Sequence, residues 1–247
     1  MATPFVSASG GAISRDDYLA DQRFFTRFAI GLVLVILFGF AQFALRGFVE
    51  YGAAPVRAHF HGLVMLAWLA LFVTQNRLIE TGNVAAHRKL GKVGAVLALV
   101  VAGTASYVGY AATLYDTKPP FFPPAYFLAL TQLGAVFFLG MVGWAVAMRR
   151  ETQWHRRLMF GSLIAILEPA FGRLLPMPLM GPYGETVILG VQLGAFAILA
   201  RHDKRTLGHV HKATIAGAVL VTLYHLLLEV LGRVGPFVTL AESMSAS

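Results

Sequence analysis

The residue with the clearest potential for chemistry is Glu168, a carboxylate inside the apolar run from Trp154 to Pro176. A charged carboxylate at the centre of a bilayer costs about 2.5–3.5 kcal/mol on insertion scales. Hydrogen bonds between membrane helices average only about 0.6 kcal/mol, which offsets little of that cost. We therefore expect Glu168 to serve a function. The alternative is that it is protonated, or pairs with Arg173 or His225, only to hold helices together.

Pro169 directly follows Glu168 and has no backbone N–H, so it frees a carbonyl near Ala165 from its helical hydrogen bond. Such breaks are tolerated in membrane helices where side chains or a cavity satisfy the exposed group. A carboxylate beside a freed carbonyl predicts a site for a proton or a cation.

Four other polar residues are predicted to lie in the same half of the bilayer as Glu168, counting a rise of about 1.5 Å per residue along each helix. They are His61, Gln132, Gln192 and His225. Glu229 follows His225 at i+4, on the same helix face. Neutral imidazoles with carboxylates suit zinc or iron, so one hypothesis is a metal site. Its ligands would be His61, Glu168, His225 and Glu229. The remaining polar candidates inside the membrane are Gln132, Arg173 and Gln192. We expect the glutamines to join helices unless they line a cavity.

A second group of histidines lies at the starts of the third, fifth and seventh apolar segments, each beside basic residues. Topology and anionic lipid phosphates can explain the basic neighbours, which are Arg88, Lys89, Arg156 and Arg157. The alternative is a bound b-type haem, because a neutral imidazole is a good axial ligand for haem iron. The candidate cofactor-binding histidines are His61, His87, His155, His211 and His225.

The composition requires lipid as the main solvent of the chain. Apolar residues make up 57% of it and charged residues 13%, against about 25% charged residues in ordinary globular domains. The chain has no cysteine, which excludes disulfides, thiolate catalysis and cysteine-ligated metals. The net charge of +8 comes from residues at the ends of apolar runs, so it indicates membrane topology rather than nucleic-acid binding.

The elements that position these residues are predicted to be seven transmembrane helices in an all-α, polytopic membrane helix bundle. A spanning helix needs about 20 mostly apolar residues, and the sixth candidate is the shortest. The segments are 27–48, 57–78, 90–114, 125–147, 157–175, 185–200 and 213–232.

The basic residues predict the orientation of this bundle. With the N-terminus and every second loop on one side, 15 of the 20 Lys and Arg residues lie on that side. The positive-inside rule then makes the N-terminus cytoplasmic and the C-terminus external. We predict a polar cytosolic tail over 1–24, one transmembrane bundle over 25–235 and a short external tail over 236–247.

The chain resembles a group of small bacterial multi-pass membrane proteins in its motifs HFHG at 59–62, HRKLG at 87–91 and HRRLM at 155–159. The resemblance covers residues 57 to about 212 and implies a bacterial inner-membrane protein, with no particular activity. The histidine placement is also similar in general style to b-type membrane cytochromes. The spacing of His225 and Glu229 resembles the i, i+4 metal ligands of seven-helix membrane zinc hydrolases.

Four functions follow from these patterns. The first, which the sequence favours, is a membrane redox protein that binds b-type haem, with a redox partner or a larger membrane complex. The second is a metal-dependent membrane enzyme that uses zinc or iron. The third is a proton-coupled transporter in which Glu168 titrates, and the fourth is a structural or assembly subunit. Anionic phospholipids at the cytoplasmic face are the expected lipid partners in each case.

Overall fold

The fold comes from a computed structural model that describes residues 15–246, with side chains from residue 19 onward apart from those of 51 and 182. The described residues are mostly helical and contain no strand. Short 3-10 turns lie at Tyr51–Ala53 and Gly181–Tyr183. The ten α-helices are α1 (Arg15–Leu45), α2 (Val56–Glu80), α3 (Val84–Leu114), α4 (Pro124–Ala147), α5 (Thr152–Ala165), α6 (Glu168–Leu174), α7 (Met177–Met180), α8 (Gly184–Leu207), α9 (Lys212–Leu231) and α10 (Gly235–Ser245).

Six of the described helices are long and apolar enough to cross a membrane: α1 from Leu19, α2, α3, α4, α8 and α9. The chain is therefore a multi-pass membrane protein. The predicted sixth segment, 185–200, is longer than expected, because α8 continues to Leu207. The predicted fifth segment, 157–175, is not one helix. It is divided into α5 and α6, which are 14 and 7 residues long.

Local sequence explains where several helices begin and end. The Asn83 side chain accepts a hydrogen bond from the Ala86 N–H and caps the start of α3. Proline opens α4 at Pro124, where its missing N–H would have no partner within the helix. Gly208, at a φ of +78°, ends α8 in the left-handed conformation that favours glycine.

The core is built around α5, which packs against α1, α4, α8 and α9. Phe160, Leu163 and Ile164 on this helix are fully buried, and Phe160 stacks on Phe28 of α1. Large apolar side chains such as Leu34 and Phe38 remain exposed on the outside of the bundle. Lipid is the natural solvent for that surface.

The two ends of the chain are more helical than the predicted tails. The helix α1 begins at Arg15, so the predicted tail over 1–24 is helical from that residue, and residues 1–14 lie outside the described part. The predicted tail over 236–247 is mostly α10, which buries Ala241 against Leu128 of α4.

Candidate functional site

The candidate site lies at the break between α5 and α6. The helix α5 ends at Ala165, and Pro169 lies four residues later, where its backbone N–H would otherwise bond to the Ala165 carbonyl. The Gln192 side chain on α8 replaces that donor. Its Nε2 donates to the carbonyls of Ala165 at 2.9 Å and Ile164 at 3.3 Å. The expectation of a freed carbonyl near Ala165 is confirmed.

The same glutamine holds the histidine of α9. The Gln192 Oε1 lies 2.7 Å from Nε2 of His225, and both side chains are buried. On its other edge, His225 Nδ1 is 3.3 Å from a carboxylate oxygen of Glu185, the second residue of α8. Glu185 was not among the residues predicted from the sequence, because an acidic residue at a helix start is ordinarily a favourable partner of the helix dipole.

Glu168 lies on the other side of the break and is held by a tyrosine. The Tyr224 hydroxyl is 2.7 Å from Glu168 Oε2 and 3.3 Å from the Leu130 carbonyl. Tyr224 and His225 are consecutive residues of α9, so the contacts of Glu168 and Glu185 lie next to each other on one helix. Two carboxylates, one imidazole and one phenol therefore meet inside the bundle. We refer to Glu168, Glu185, Gln192, Tyr224 and His225 as the break cluster.

Glu229 lies at the rim of this region and does not join His225. It accepts a hydrogen bond from the Tyr126 hydroxyl at 2.9 Å and pairs with Arg233 at 2.5 Å. Arg173 donates to the carbonyl of Pro169 at 2.8 Å, and its guanidinium lies 4.2 Å from the ring centre of Phe40. These two residues therefore surround the break cluster without entering it.

His61 lies in a separate contact. Its Nδ1 is 2.9 Å from the Thr104 hydroxyl, which joins α2 to α3. The proposed metal ligands thus occupy different contacts. In the part of the chain that the structure describes, no group of three or more histidine or acidic residues could hold a metal ion.

Gln132 also lies outside the break cluster. Its Nε2 donates to the Ser106 carbonyl at 3.0 Å, and its Oε1 accepts from the Ser106 hydroxyl at 2.6 Å. This reciprocal pair joins α3 to α4, as expected for an ordinary helix–helix contact.

Two of the remaining histidines face each other at the end of the bundle that carries Arg88, Arg156 and Arg157, which we call the basic end. The rings of His87 and His155 have centroids 6.3 Å apart and are nearly perpendicular, at 84°. His155 Nδ1 donates to the Ala145 carbonyl at 2.8 Å. The Gln75 side chain of α2 contacts α3 at two points. The Gln75 amide nitrogen donates to His87 Nδ1 at 2.8 Å, and the Gln75 amide oxygen accepts from the Gly91 N–H at 2.9 Å.

Two of the arginines expected at lipid phosphates, Arg156 and Arg157, form ion pairs with acidic residues of other helices. Arg157 is fully buried and pairs with Asp203 of α8, and Arg156 pairs with Asp21 of α1 at 2.7 Å. The pairing removes Arg157 from the lipid surface. The other two of this set, Arg88 and Lys89, are exposed on α3, so their contact with lipid phosphate stays a prediction.

His211 caps α9. Its Nδ1 accepts a hydrogen bond from the Ala213 N–H at 3.1 Å, so that nitrogen carries no proton. Burial, followed by the positive charge of Arg157, lowers the pKa of His211 below its usual value. A neutral ring is what this cap requires.

No protein-family model matches this chain, and neither a curated protein nor a solved structure matches it.

Proposed function

We propose that this chain is a proton-coupled membrane transporter and that the break cluster is its proton-binding site. The observation that carries the proposal is the placement of two carboxylates beside the broken helix α5–α6, with Glu168 held by Tyr224 and Glu185 facing the adjacent His225. Ionisable residues inside membrane helices commonly mark ion and proton pathways. Discontinuous helices likewise provide the substrate and ion sites of many transporters.

The proposal includes a seventh crossing made in two pieces. At the basic end, Arg157 of α5 pairs with Asp203 near the end of α8. Toward the other end, Gln192 near the start of α8 bonds to the last carbonyls of α5. The α5–α6 pair therefore runs alongside α8 in the opposite direction. With seven crossings, the basic end is cytoplasmic and the C-terminus external. Together with the HRKLG and HRRLM motifs, this topology supports a bacterial inner-membrane protein.

The chemistry asked of the cluster is reversible protonation. Charges that repel each other in a medium of low dielectric constant are stabilised when a proton or a cation joins them. The Tyr224 hydroxyl can donate to an ionised Glu168 or accept from a protonated one, so it supports both states. Binding of the proton would then be linked to the position of α6 relative to α8.

Glu168→Gln tests the proposal directly, because it keeps the shape of the side chain and removes its titration. In proteoliposomes with an imposed pH gradient, wild type should dissipate the gradient when the transported solute is added, and the variant should lose most of that flux. Glu242→Gln, which changes an exposed carboxylate on α10, is the matched control and should keep the flux. Equal flux in wild type and Glu168→Gln would reject the proposal.

A second candidate, a b-type haem protein, is favoured by one observation. Metal-ligating histidines typically donate their other ring N–H to a carbonyl or carboxylate, as His155 does to Ala145. His155 Nε2 is then available as a ligand. Its perpendicular neighbour His87 fits less well, because Gln75 donates to His87 Nδ1 and so places the ring proton on Nε2. Haem bound here would supply one-electron transfer.

An absorption spectrum tests this candidate. Protein purified from cells supplied with haem should show a Soret band that shifts on reduction, and His155→Ala should remove the band. His209→Ala is the matched control, because that ring is exposed and its Nδ1 lies 3.0 Å from the Leu207 carbonyl. A folded and colourless wild-type preparation would reject haem binding.

A further inference from the structure

The tautomer of His225 is fixed by the helix break. The amide nitrogen of Gln192 faces the carbonyls of Ile164 and Ala165, which only accept hydrogen bonds. The amide oxygen must therefore face His225, and it too only accepts. His225 Nε2, 2.7 Å from that oxygen, must carry a proton.

The opposite edge of the ring then has an unmet requirement. A neutral imidazole carries one proton, so Nδ1 would present a lone pair to Glu185 Oε2 at 3.3 Å. Neither Nδ1 nor either carboxylate oxygen of Glu185 has a hydrogen-bond partner among the described residues. The two side chains are 5% and 11% exposed. Buried polar groups without partners are rare and costly, so two facing acceptors indicate a missing ligand.

We propose that His225 and Glu185 bind one exchangeable proton between Nδ1 and the carboxylate, as a second proton site beside Glu168. This inference rests on the proposed function, because it assigns the proton as the ligand of the same cluster. The proton either makes His225 an imidazolium paired with Glu185, or resides on Glu185 and is donated to Nδ1. Both arrangements satisfy the two groups, and neither requires a change at Nε2.

Gln192 is the positioning residue of this site. It bonds at the same time to the carbonyls freed by Pro169 and to the ring that receives the proton. Any displacement of α6 that lets Ala165 regain another donor would release the Gln192 amide. That release would allow His225 to change tautomer, so loading of the proton is linked to the geometry of the break.

The groups that surround this proton come from four helices. Glu185 belongs to α8, Glu168 and Arg173 to α6, Tyr224 to α9 and Tyr126 to α4. The two tyrosines supply hydroxyl groups, and the guanidinium offsets part of the charge of Glu168. Among these groups, the Glu185 carboxylate is the one that faces Nδ1, at 3.3 Å. The pH response of His225 should therefore change when Glu185 loses its charge.

The ring nitrogens of His225 can be followed by 15N NMR of the full chain in nanodiscs. The chain is labelled at its histidines, and the His225 signals are assigned by their absence from the spectrum of His225→Gln. In wild type, Nε2 should stay protonated across the titration, while Nδ1 changes from a lone-pair nitrogen without a hydrogen bond to a hydrogen-bonded or protonated one as the pH falls. In Glu185→Gln, that change should no longer follow its wild-type pH dependence, because the carboxylate that shares the proton with Nδ1 is gone. Gln192→Leu should allow both neutral tautomers.

Glu229→Gln is the matched control, since its carboxylate binds Tyr126 and Arg233 instead. A wild-type His225 in the neutral Nδ1–H tautomer would overturn the inference without any variant. It would also be overturned by an unmoved titration in Glu185→Gln, or by a signal that follows added sodium or zinc at constant pH, which would make the ligand a metal cation. Because these signals are read without transport, they can fail while the flux of the Glu168 test persists, and the reverse also holds.

Discussion

Asp203 provides the sharpest test of how the bundle is held together at its basic end. This fully buried carboxylate accepts hydrogen bonds from Arg157 Nε at 2.9 Å and Nη2 at 2.5 Å. Its other oxygen accepts from the Thr214 hydroxyl at 2.6 Å and the His211 N–H at 3.0 Å. One side chain of α8 therefore joins α5 to the start of α9.

Asp203→Asn keeps the volume of the side chain and removes its charge. The Arg157 guanidinium would then remain fully buried without a counter-ion. Breaking a buried ion pair by removing one partner costs about 3–5 kcal/mol, because the remaining charge is uncompensated. For chains of 150–250 residues, each kcal/mol changes Tm by about 2–4 °C, so we expect Tm to fall by about 6–20 °C.

Thermal unfolding in detergent micelles, followed by tryptophan fluorescence, measures this effect. The matched control is Asp116→Asn, which alters an exposed carboxylate paired with Lys118 at 2.7 Å and should leave Tm almost unchanged. The double variant Arg157→Met with Asp203→Leu should recover much of the lost stability, because it removes both buried charges together. If Asp203→Asn lowers Tm no more than Asp116→Asn does, the buried pair does not hold α5 to α8.

Three further predictions concern packing and pH. Gly109→Ala should destabilise the bundle by about 1–3 kcal/mol in the same assay, because its Cβ would overlap Thr131, whereas Gly103→Ala meets nothing within 4 Å and should not destabilise. Gly39→Ala would place a Cβ 2.8 Å from a backbone carbonyl of α6, so it should lower both Tm and the flux that depends on the break cluster. The pKa of His211 is lowered on folding, so its contribution to stability is present above its ordinary value near 6.5 and is lost as the pH falls through the lower folded value. Wild type should accordingly lose more Tm than His211→Gln between pH 8 and pH 5.

The membrane class and most of the helices could be predicted because both depend on composition along the chain. Runs of about 20 apolar residues predict the six described helices that are long and apolar enough to cross a membrane. The fifth segment shows the limit of that approach, since hydropathy reports only that 157–175 is apolar. Pro169 indicated a break in the backbone, but the division into two separate helices depends on the Gln192 contact across the bundle.

The site was predicted only in part, for a physical reason. Glu168, Gln192 and His225 were found because a polar group deep in an apolar run has no local explanation. Glu185 and Asp203 lie near the ends of α8, where acidic residues are common at protein surfaces and helix starts. Tyr224 was missed because tyrosine is ordinary in membrane helices. Burial of these three depends on neighbours that are distant in sequence, which hydropathy along one segment does not report.

The spacing along α8 nevertheless contained a signal. Glu185 and Gln192 are seven residues apart, and Asp203 follows eleven residues later. At 3.6 residues per turn, seven residues are close to two turns, eleven to three, and the full eighteen to five turns, about 27 Å. The three residues thus form one polar stripe on a single face of α8. That stripe contacts His225 and the helix break near one end and Arg157 near the other. A lipid-facing stripe could not carry three such residues, so their shared face identifies the side of α8 that packs on α5 and α9. Moving any one of them by a single position would turn its side chain about 100° away from the partners it now contacts.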